Sequence, residues 1–357
     1  MKHTLWQFFL SIILLCASFS DVLAQTAEHV ENAPCLTLVE LNCENLFDCD
    51  DDPLHNDNEW LPEAVRRWTP RRYWQKLNNI GQEIVACGQQ ADGSWVLPDL
   101  VALSEVENDS VLVALSRRSL LRRAGYEYVM TQSADERGID VALLFSPFSF
   151  RLLRHYALRV IPPEGRHATR DVLYAAGELT TGDTLHVFVV HAPSRYQGER
   201  ASRPFRLRVA DRVCQSIDSI RHHDADARIL VAGDFNAYAT DHSLQYYEHH
   251  GLVNVARNAQ GTHGARGTYR YQGEWGSLDQ ILASPPLAAG LDSCVIFDAP
   301  FLMEKDEKYG GVQPRRNYRG MRYNRGYSDH LPLVARFRLT PNFQPLTPNT
   351  QHLTPNS

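Results

Sequence analysis

The chain has 357 residues and a formal net charge of −6, from 42 acidic against 36 basic residues; apolar residues make up 43% and charged residues 22%. That is the balance of a globular protein with a sizeable core, which excludes a disordered chain, a polytopic membrane protein and a disulfide-stapled miniprotein. The acidic excess also excludes a protein that coats nucleic acid by neutralising phosphates along its length. Arg supplies 32 of the 36 basic residues, and its planar guanidinium suits bidentate contacts to phosphate or carboxylate.

In chain order, Lys2 and His3, the apolar run Leu5 to Leu15 and the small residues ahead of Gln25 read as a secretory signal cleaved after Ala24. The apolar run is too short to span a bilayer comfortably, so no stable membrane insertion is expected after cleavage, and the protein is placed outside the cytoplasm, secreted or periplasmic. Residues 25–34 form a lead and 35–338 a single domain, since no linker rich in Gly, Ser or Pro divides them. Six cysteines follow Cys16: Cys35, Cys43, Cys49, Cys87, Cys214 and Cys294. An oxidising compartment permits disulfides, but none of the six has a C-x-x-C spacing, and a Cys43–Cys49 bridge and single buried thiols both stand. From 339 to 357 the sequence Leu-Thr-Pro-Asn recurs three times with a period of seven. That pattern predicts a disordered, solvated tail.

Within the core, short apolar runs repeatedly end in a polar residue. Leu36 to Leu41 leads into Asn42, Leu100 to Leu103 into Glu105, Thr184 to Val190 into His191, and Ile229 to Ala232 into Gly233-Asp234. Ile139 to Phe145, Ser277 to Leu282 (with Asp279 inside it) and Leu331 to Phe337 complete the predicted strands. Helices are predicted over 70–85, 110–121 and 202–220, the last entered through Pro204. Several strands follow one another without a helix between them, so two packed sheets flanked by helices fit better than alternating βαβ units.

Polar groups at strand ends are where function gathers on a rigid scaffold. Asn42, Glu105, Asp234, Asn236 and Asp329 are hard oxygen ligands suited to Mg²⁺, Ca²⁺ or Mn²⁺. His191 and His330 bring imidazoles able to move protons or stabilise charge. No member of this set is informative alone, since a lone acid at a strand end is most often a turn or cap residue.

The order Asn, Glu, His, Gly-Asp-Phe-Asn, Asp, Ser-Asp-His resembles the endonuclease/exonuclease/phosphatase superfamily, the DNase I-like enzymes, and especially its secreted bacterial branch. The matching stretches are 41–48, 103–108, 137–142, 191–195, 233–236 and 326–330. The resemblance implies an α+β fold, a four-layered α/β/β/α sandwich. It implies that Glu105, with Asn42 and Asp329, holds a divalent metal, Mg²⁺ with Mn²⁺ or Ca²⁺ as alternatives. It implies that Asp234 orients or deprotonates the attacking water, that Asn236 contacts phosphate, and that His330 sits against the scissile phosphate, steered by Asp279. His191 resembles the second family histidine, with Asp140 as its expected orienting partner and Arg195 as a phosphate contact.

Two flanking segments bear on substrate. Glu44 to Glu63 holds eight acids and no Lys or Arg, expected as a solvated acidic loop. Arg315 to Tyr327 holds five arginines and three tyrosines, directly before Ser-Asp-His. Arg319, Arg322 and Arg325 are expected to contact substrate phosphate, against the alternative of an ordinary surface loop packing its tyrosines. The expected function is a secreted, monomeric, metal-dependent phosphoesterase that cleaves phosphodiesters with water, an endonuclease-type nuclease. The alternatives are a phosphatase or phosphodiesterase for phospholipid head groups or inositol and sugar phosphates, and a non-catalytic binding protein on the same fold.

Overall fold

The computed structural model describes residues 34–339 apart from 91, 166, 196 and 197; the expected signal and the repeat tail from 340 onward lie outside the described residues. Twelve strands build two six-stranded sheets. They are β1 (Cys35–Leu46), β2 (Leu100–Val106), β3 (Glu127–Met130), β4 (Asp140–Phe145), β5 (Phe150–Leu158) and β6 (Val172–Leu179). There follow β7 (Thr184–His191), β8 (Arg228–Asp234), β9 (Val253–Asn254), β10 (Asp279–Ala283), β11 (Leu291–Ile296) and β12 (Leu333–Arg338). The first sheet runs β11-β12-β1-β2-β4-β3, the second β5-β6-β7-β8-β10-β9.

Each sheet is antiparallel except at one central pair: β1 with β2, and β7 with β8. Those two parallel pairs decide where function sits, because four neighbouring strands then end at the same rim. The C-terminal parts of these four strands carry Asn42, Glu105, His191 and Asp234. Strand β10 runs antiparallel to β8 and starts at that rim, with Asp279 opposite Asp234.

The alternation along the strands explains the layering. Leu36 and Leu38 face the other sheet, packing among Leu143, Leu173, Val187, Leu230 and Ile281, while Val39 and Leu41 face outward onto Leu77, Ile80 and Ile84 of helix α1 (Pro70–Ala86). On the far side, Phe188, Ile229 and Val231 pack against Val209, Val213 and Ile217 of helix α2 (Glu199–His223). Burying each such side chain contributes about 1.5–3 kcal/mol. Helix, sheet, sheet, helix is the predicted four-layered order.

Several elements differ from expectation. The helix expected over 110–121 is a single α-turn, Asp109–Val113, followed by wider and tighter turns to Arg123. Helix α2 starts at Glu199, five residues before Pro204, where Gly198 turns the chain at φ 89° and Glu199 pairs with Arg203 at 2.7 Å. All six described cysteines are free thiols. Among the described residues no helix is long and apolar enough to cross a membrane.

Candidate active site

Side chains from both sheets meet at the shared rim. Asn42 Nδ2 donates to Asp234 Oδ2 at 3.1 Å, a bond between residues 192 apart in sequence that ties one sheet to the other. Asp234 also accepts from the Asn236 backbone N–H at 2.8 Å and from Asn236 Nδ2 at 3.2 Å. Two of these rim residues adopt left-handed backbone, Glu105 at φ 61° and Asn236 at φ 47°. Such strain in non-glycine residues persists only where surrounding contacts enforce it, and it concentrates at functional sites. Gly233 explains itself by contact: a Cβ there would lie 1.9 Å from the Val190 carbonyl oxygen on the adjacent strand.

His330 Nδ1 meets Asp279 Oδ2 at 2.7 Å, and the Thr268 hydroxyl donates to the same oxygen. The Tyr269 ring lies against the His330 ring at 4.8 Å between centroids. Ser328 Oγ donates to the Asn42 carbonyl at 2.6 Å and accepts from the His330 N–H, pinning the Ser-Asp-His turn to β1. Burial opposes a charge on His330, but the carboxylates of Asp279, Asp234 and Asp329 hold the imidazolium well above the ordinary range. Burial and the negative charge of Asp279 push Asp234 up to about 7. One site therefore pairs a cationic imidazole with a carboxyl that exchanges its proton near neutrality.

His191 has the opposite character. Burial, then the charges of Arg170 and Arg137, hold its pKa well below the ordinary range, so it is a neutral imidazole. Its Nε2 lies 3.7 Å from Asp234 and 3.9 Å from Glu105, while Nδ1 has no hydrogen-bond partner among the described residues. The expected partner Asp140 is engaged elsewhere, accepting from the Thr131 hydroxyl at 2.5 Å and from Ser133 N–H and Oγ.

The carboxylates offer two places for a cation. Ligand atoms of Asp234, Asp279 and His330 lie within 4.8 Å of one another, but the His330–Asp279 hydrogen bond makes that trio an acid–base set rather than a cage. Glu105 fits better. Its Oε2 accepts from the Asn45 N–H at 2.8 Å, whereas its Oε1 has only the 3.9 Å contacts with Arg137 and His191. A partly exposed carboxylate oxygen without a short partner, beside the Asn42 amide, is the hard donor that a divalent ion takes.

Asp329, expected to complete that cradle, is bound instead to Arg316 Nη2 at 2.8 Å. Burial raises its carboxyl, but Arg316 and His330 outweigh this and hold it below the usual carboxylate range. Arg316 also reaches Glu44 at 3.5 Å. Glu44 is a correction to the solvated acidic loop: it is buried, accepting from the Asn317 N–H at 2.6 Å and the Tyr318 N–H at 3.3 Å. Asp57 of the same segment is buried too, whereas Asp50, Asp51, Glu59 and Glu63 stay exposed.

The arginines expected to grip phosphate divide. Arg195 is committed to Asp241 at 3.0 Å and lies over the Tyr238 ring, and Arg319 to Glu304 at 2.6 Å. Arg322 is exposed, and Arg325 lines a cavity with residues of α1. In the same loop Tyr318 and Tyr327 are buried, which is the behaviour of a packed surface loop. Sequence reasoning passed over Thr268, Tyr269, Glu44 and Arg316 as site residues. Arg316 carried a signal, standing in the arginine-rich run before Ser-Asp-His, whereas Glu44 lies where β1 is irregular and its backbone is left-handed at φ 47°, so strand alternation does not point to it.

Two stacked sheets that gather an acid–base pair, a neutral imidazole and a hard-oxygen cradle at one rim define a hydrolase of phosphate esters. The chain belongs to the endonuclease/exonuclease/phosphatase family, whose sequence profile matches residues 37–338. Members are metal-dependent phosphoesterases, and the Glu105 side of this rim is chemically suited to such an ion. No curated protein matches the chain.

Solved structures share the fold. A family protein from Bacteroides thetaiotaomicron superposes with a TM-score of 0.56 at 14% identity, covering 87% of this chain and 100% of that one. A mannosyl-6-phosphatase from the same species gives 0.55 at 17%, covering 84% and 98%. The catalytic domain of human Nocturnin with a bound sulfate gives 0.52 at 18%, covering 86% and 96%.

Proposed function

We propose that this protein is exported by the segment ending at Ala24 and hydrolyses phosphodiester bonds with water, nucleic acid being its substrate. The observation that carries this reading is the buried His330–Asp279 pair at 2.7 Å facing a carboxyl, Asp234, whose pKa stands near 7. Asp234, oriented by Asn42 and Asn236, takes the proton of the attacking water. His330, held cationic by Asp279, donates a hydrogen bond to a non-bridging phosphate oxygen as charge builds there. Neutral His191 and the buried Asn236 amide supply further uncharged contacts. Glu105 and Asn42 would hold Mg²⁺, or Mn²⁺ or Ca²⁺ in its place, which neutralises phosphate charge and the developing leaving group. Asp329, the third expected ligand, is engaged by Arg316 at 2.8 Å.

A second reading keeps the residues and changes the substrate to a small phosphoester, favoured by the fold shared with a mannosyl-6-phosphatase. Incubation with plasmid DNA, single-stranded RNA, an aryl phosphodiester, mannose 6-phosphate and phospholipid, each with Mg²⁺, separates the two. Cleavage of DNA or RNA is expected. Release of phosphate from mannose 6-phosphate with both polynucleotides intact would replace the nuclease reading by the second.

A further inference from the structure

We propose that Arg71, Arg72 and Arg325, grouped around Tyr323, form an anion subsite that takes a phosphate of the substrate other than the one being cleaved. These residues line a cavity of about 240 Å³ together with Thr69 and Gln75, far larger than the roughly 10–15 Å³ that a single water needs. No carboxylate lines it. Four other arginines near the site do have a carboxylate partner: Arg316 is paired with Asp329, Arg319 with Glu304, Arg195 with Asp241 and Arg66 with Glu59.

The three guanidiniums are presented for a ligand in different ways. Arg72 is fixed, donating to the backbone carbonyls of Arg66 and Arg67 at 2.6 and 2.9 Å and lying 4.4 Å over the Tyr323 ring. Arg71 and Arg325 have no side-chain hydrogen bond or ion pair among the described residues, and both are exposed. Their charges converge: burial raises the Tyr323 phenol, and Arg325, Arg72 and Arg71 all pull it back down. Like charges gathered without a counter-charge repel one another, and an anion between them relieves that repulsion. Guanidiniums in this arrangement match the oxygens of a phosphate in bidentate fashion.

The cavity is also rigidly joined to the catalytic rim. Arg325 stands in left-handed backbone at φ 55°, and the chain runs from it through Gly326, Tyr327 and Ser328 to Asp329. Helix α1, which carries Arg71 and Arg72, holds that run in place: Asn79 donates to the Gly326 carbonyl at 2.6 Å and Lys76 to the Tyr327 carbonyl. Four residues of extended chain span at most about 14 Å, roughly four nucleotide rises of 3.4 Å. A phosphate a few positions along a bound strand therefore falls within reach of the cavity while another is being hydrolysed. This inference rests on the phosphodiesterase reading for its link to catalysis, but not for the anion site itself.

The test uses the full chain and the single variant Arg71→Ala, an exposed position whose replacement does not threaten folding. Kinetics compare a hexanucleotide, with several phosphates, against bis(4-nitrophenyl) phosphate, with one. Loss of the subsite lowers the preference for the hexanucleotide, as a ratio of kcat/KM values, by about 10-fold, the scale of one charged hydrogen bond. The salt dependence of hexanucleotide binding flattens by about 0.7 in slope. Calorimetry with inorganic pyrophosphate in EDTA provides a readout independent of catalysis, and weaker binding by Arg71→Ala is expected there. If pyrophosphate binding weakens while hexanucleotide preference holds, the anion comes from a small phosphorylated substrate and the subsite stands. If wild type cleaves no ester but the pyrophosphate difference persists, the function reading fails and the anion site survives. Unchanged hexanucleotide preference together with unchanged pyrophosphate affinity overturns the proposal.

Discussion

Replacing Asp279 by Asn keeps the side chain's shape and deletes the charge that orders His330. The carboxylate is fully buried, receives His330 Nδ1 at 2.7 Å and also accepts the Thr268 hydroxyl. A hydrogen bond to a charged group contributes about 1.5–3 kcal/mol, which at 1.4 kcal/mol per decade is roughly 10- to 10²-fold in rate. The pH dependence moves as well. Burial alone lowers a histidine's pKa; Asp279 and the neighbouring acids reverse that and raise it. In wild type the imidazolium therefore persists from acid pH up past neutrality and is lost only as pH climbs through the raised value. Without Asp279 the loss comes at lower pH. The assay is kcat/KM on bis(4-nitrophenyl) phosphate from pH 5 to 10 with saturating Mg²⁺. Asp279→Asn should be about 10²-fold slower at pH 8, with its alkaline limb displaced toward acid. The double variant with His330→Ala should be no worse than His330→Ala alone, since the two residues act as one unit. Turnover and an alkaline limb matching wild type would refute the pairing as the source of His330's role.

Asp234→Asn should lower turnover by at least ~10²-fold, the scale of a general base, with circular dichroism unchanged; near-normal kinetics would place the base elsewhere. Glu83 is fully buried with neither oxygen hydrogen-bonded, and burial, offset in part by Lys76, pushes it from 4.5 up to about 8. Its folded state holds a proton that the unfolded chain has released, so stability falls as pH rises from about 4.5 to 8. Glu83→Met should remove that decline, exceeding wild type by a few kcal/mol at pH 9 in urea titrations and losing the advantage near pH 4; parallel pH curves would contradict the assignment. Gly233→Ala drives a Cβ toward the Val190 carbonyl at 1.9 Å. It should cost about 2–3 kcal/mol and lower Tm by roughly 5 °C; an unchanged Tm would mean the strands separate there at little cost.

The candidate site at the rim was readable because its residues end short apolar runs, a pattern that survives in one dimension. Asn42, Glu105, His191 and Asp234 each follow such a run, and the two parallel strand pairs turn four separate run ends into one place. Strands β5 and β6 escaped notice for physical reasons. β5 lies at a sheet edge with most of its side chains in solvent, so it shows no apolar run. β6 carries Ala175, Ala176 and Gly177, small because a Cβ at Gly177 would meet the Phe150 ring. The Asp329–Arg316–Glu44 contact was hidden by distance, since Asn317 and Glu44, which belong to it, are 273 residues apart. Local charge counting placed Glu44 in a solvated acidic loop and the loop arginines together on substrate. Tertiary pairing sorted them into a buried acid, the ion-paired Arg316 and Arg319, and Arg315, Arg322 and Arg325, which have no carboxylate partner among the described residues.

The most direct test of the central claim, that this rim is a metal-dependent phosphodiesterase site, is hydrolysis of bis(4-nitrophenyl) phosphate by wild type and Glu105→Gln. Each is assayed in EDTA and again after addition of Mg²⁺ or Mn²⁺. Wild type should be inactive in EDTA and active with metal, and Glu105→Gln should need far more metal to reach a lower rate. Equal cleavage in EDTA, or no cleavage under any metal, would contradict the account.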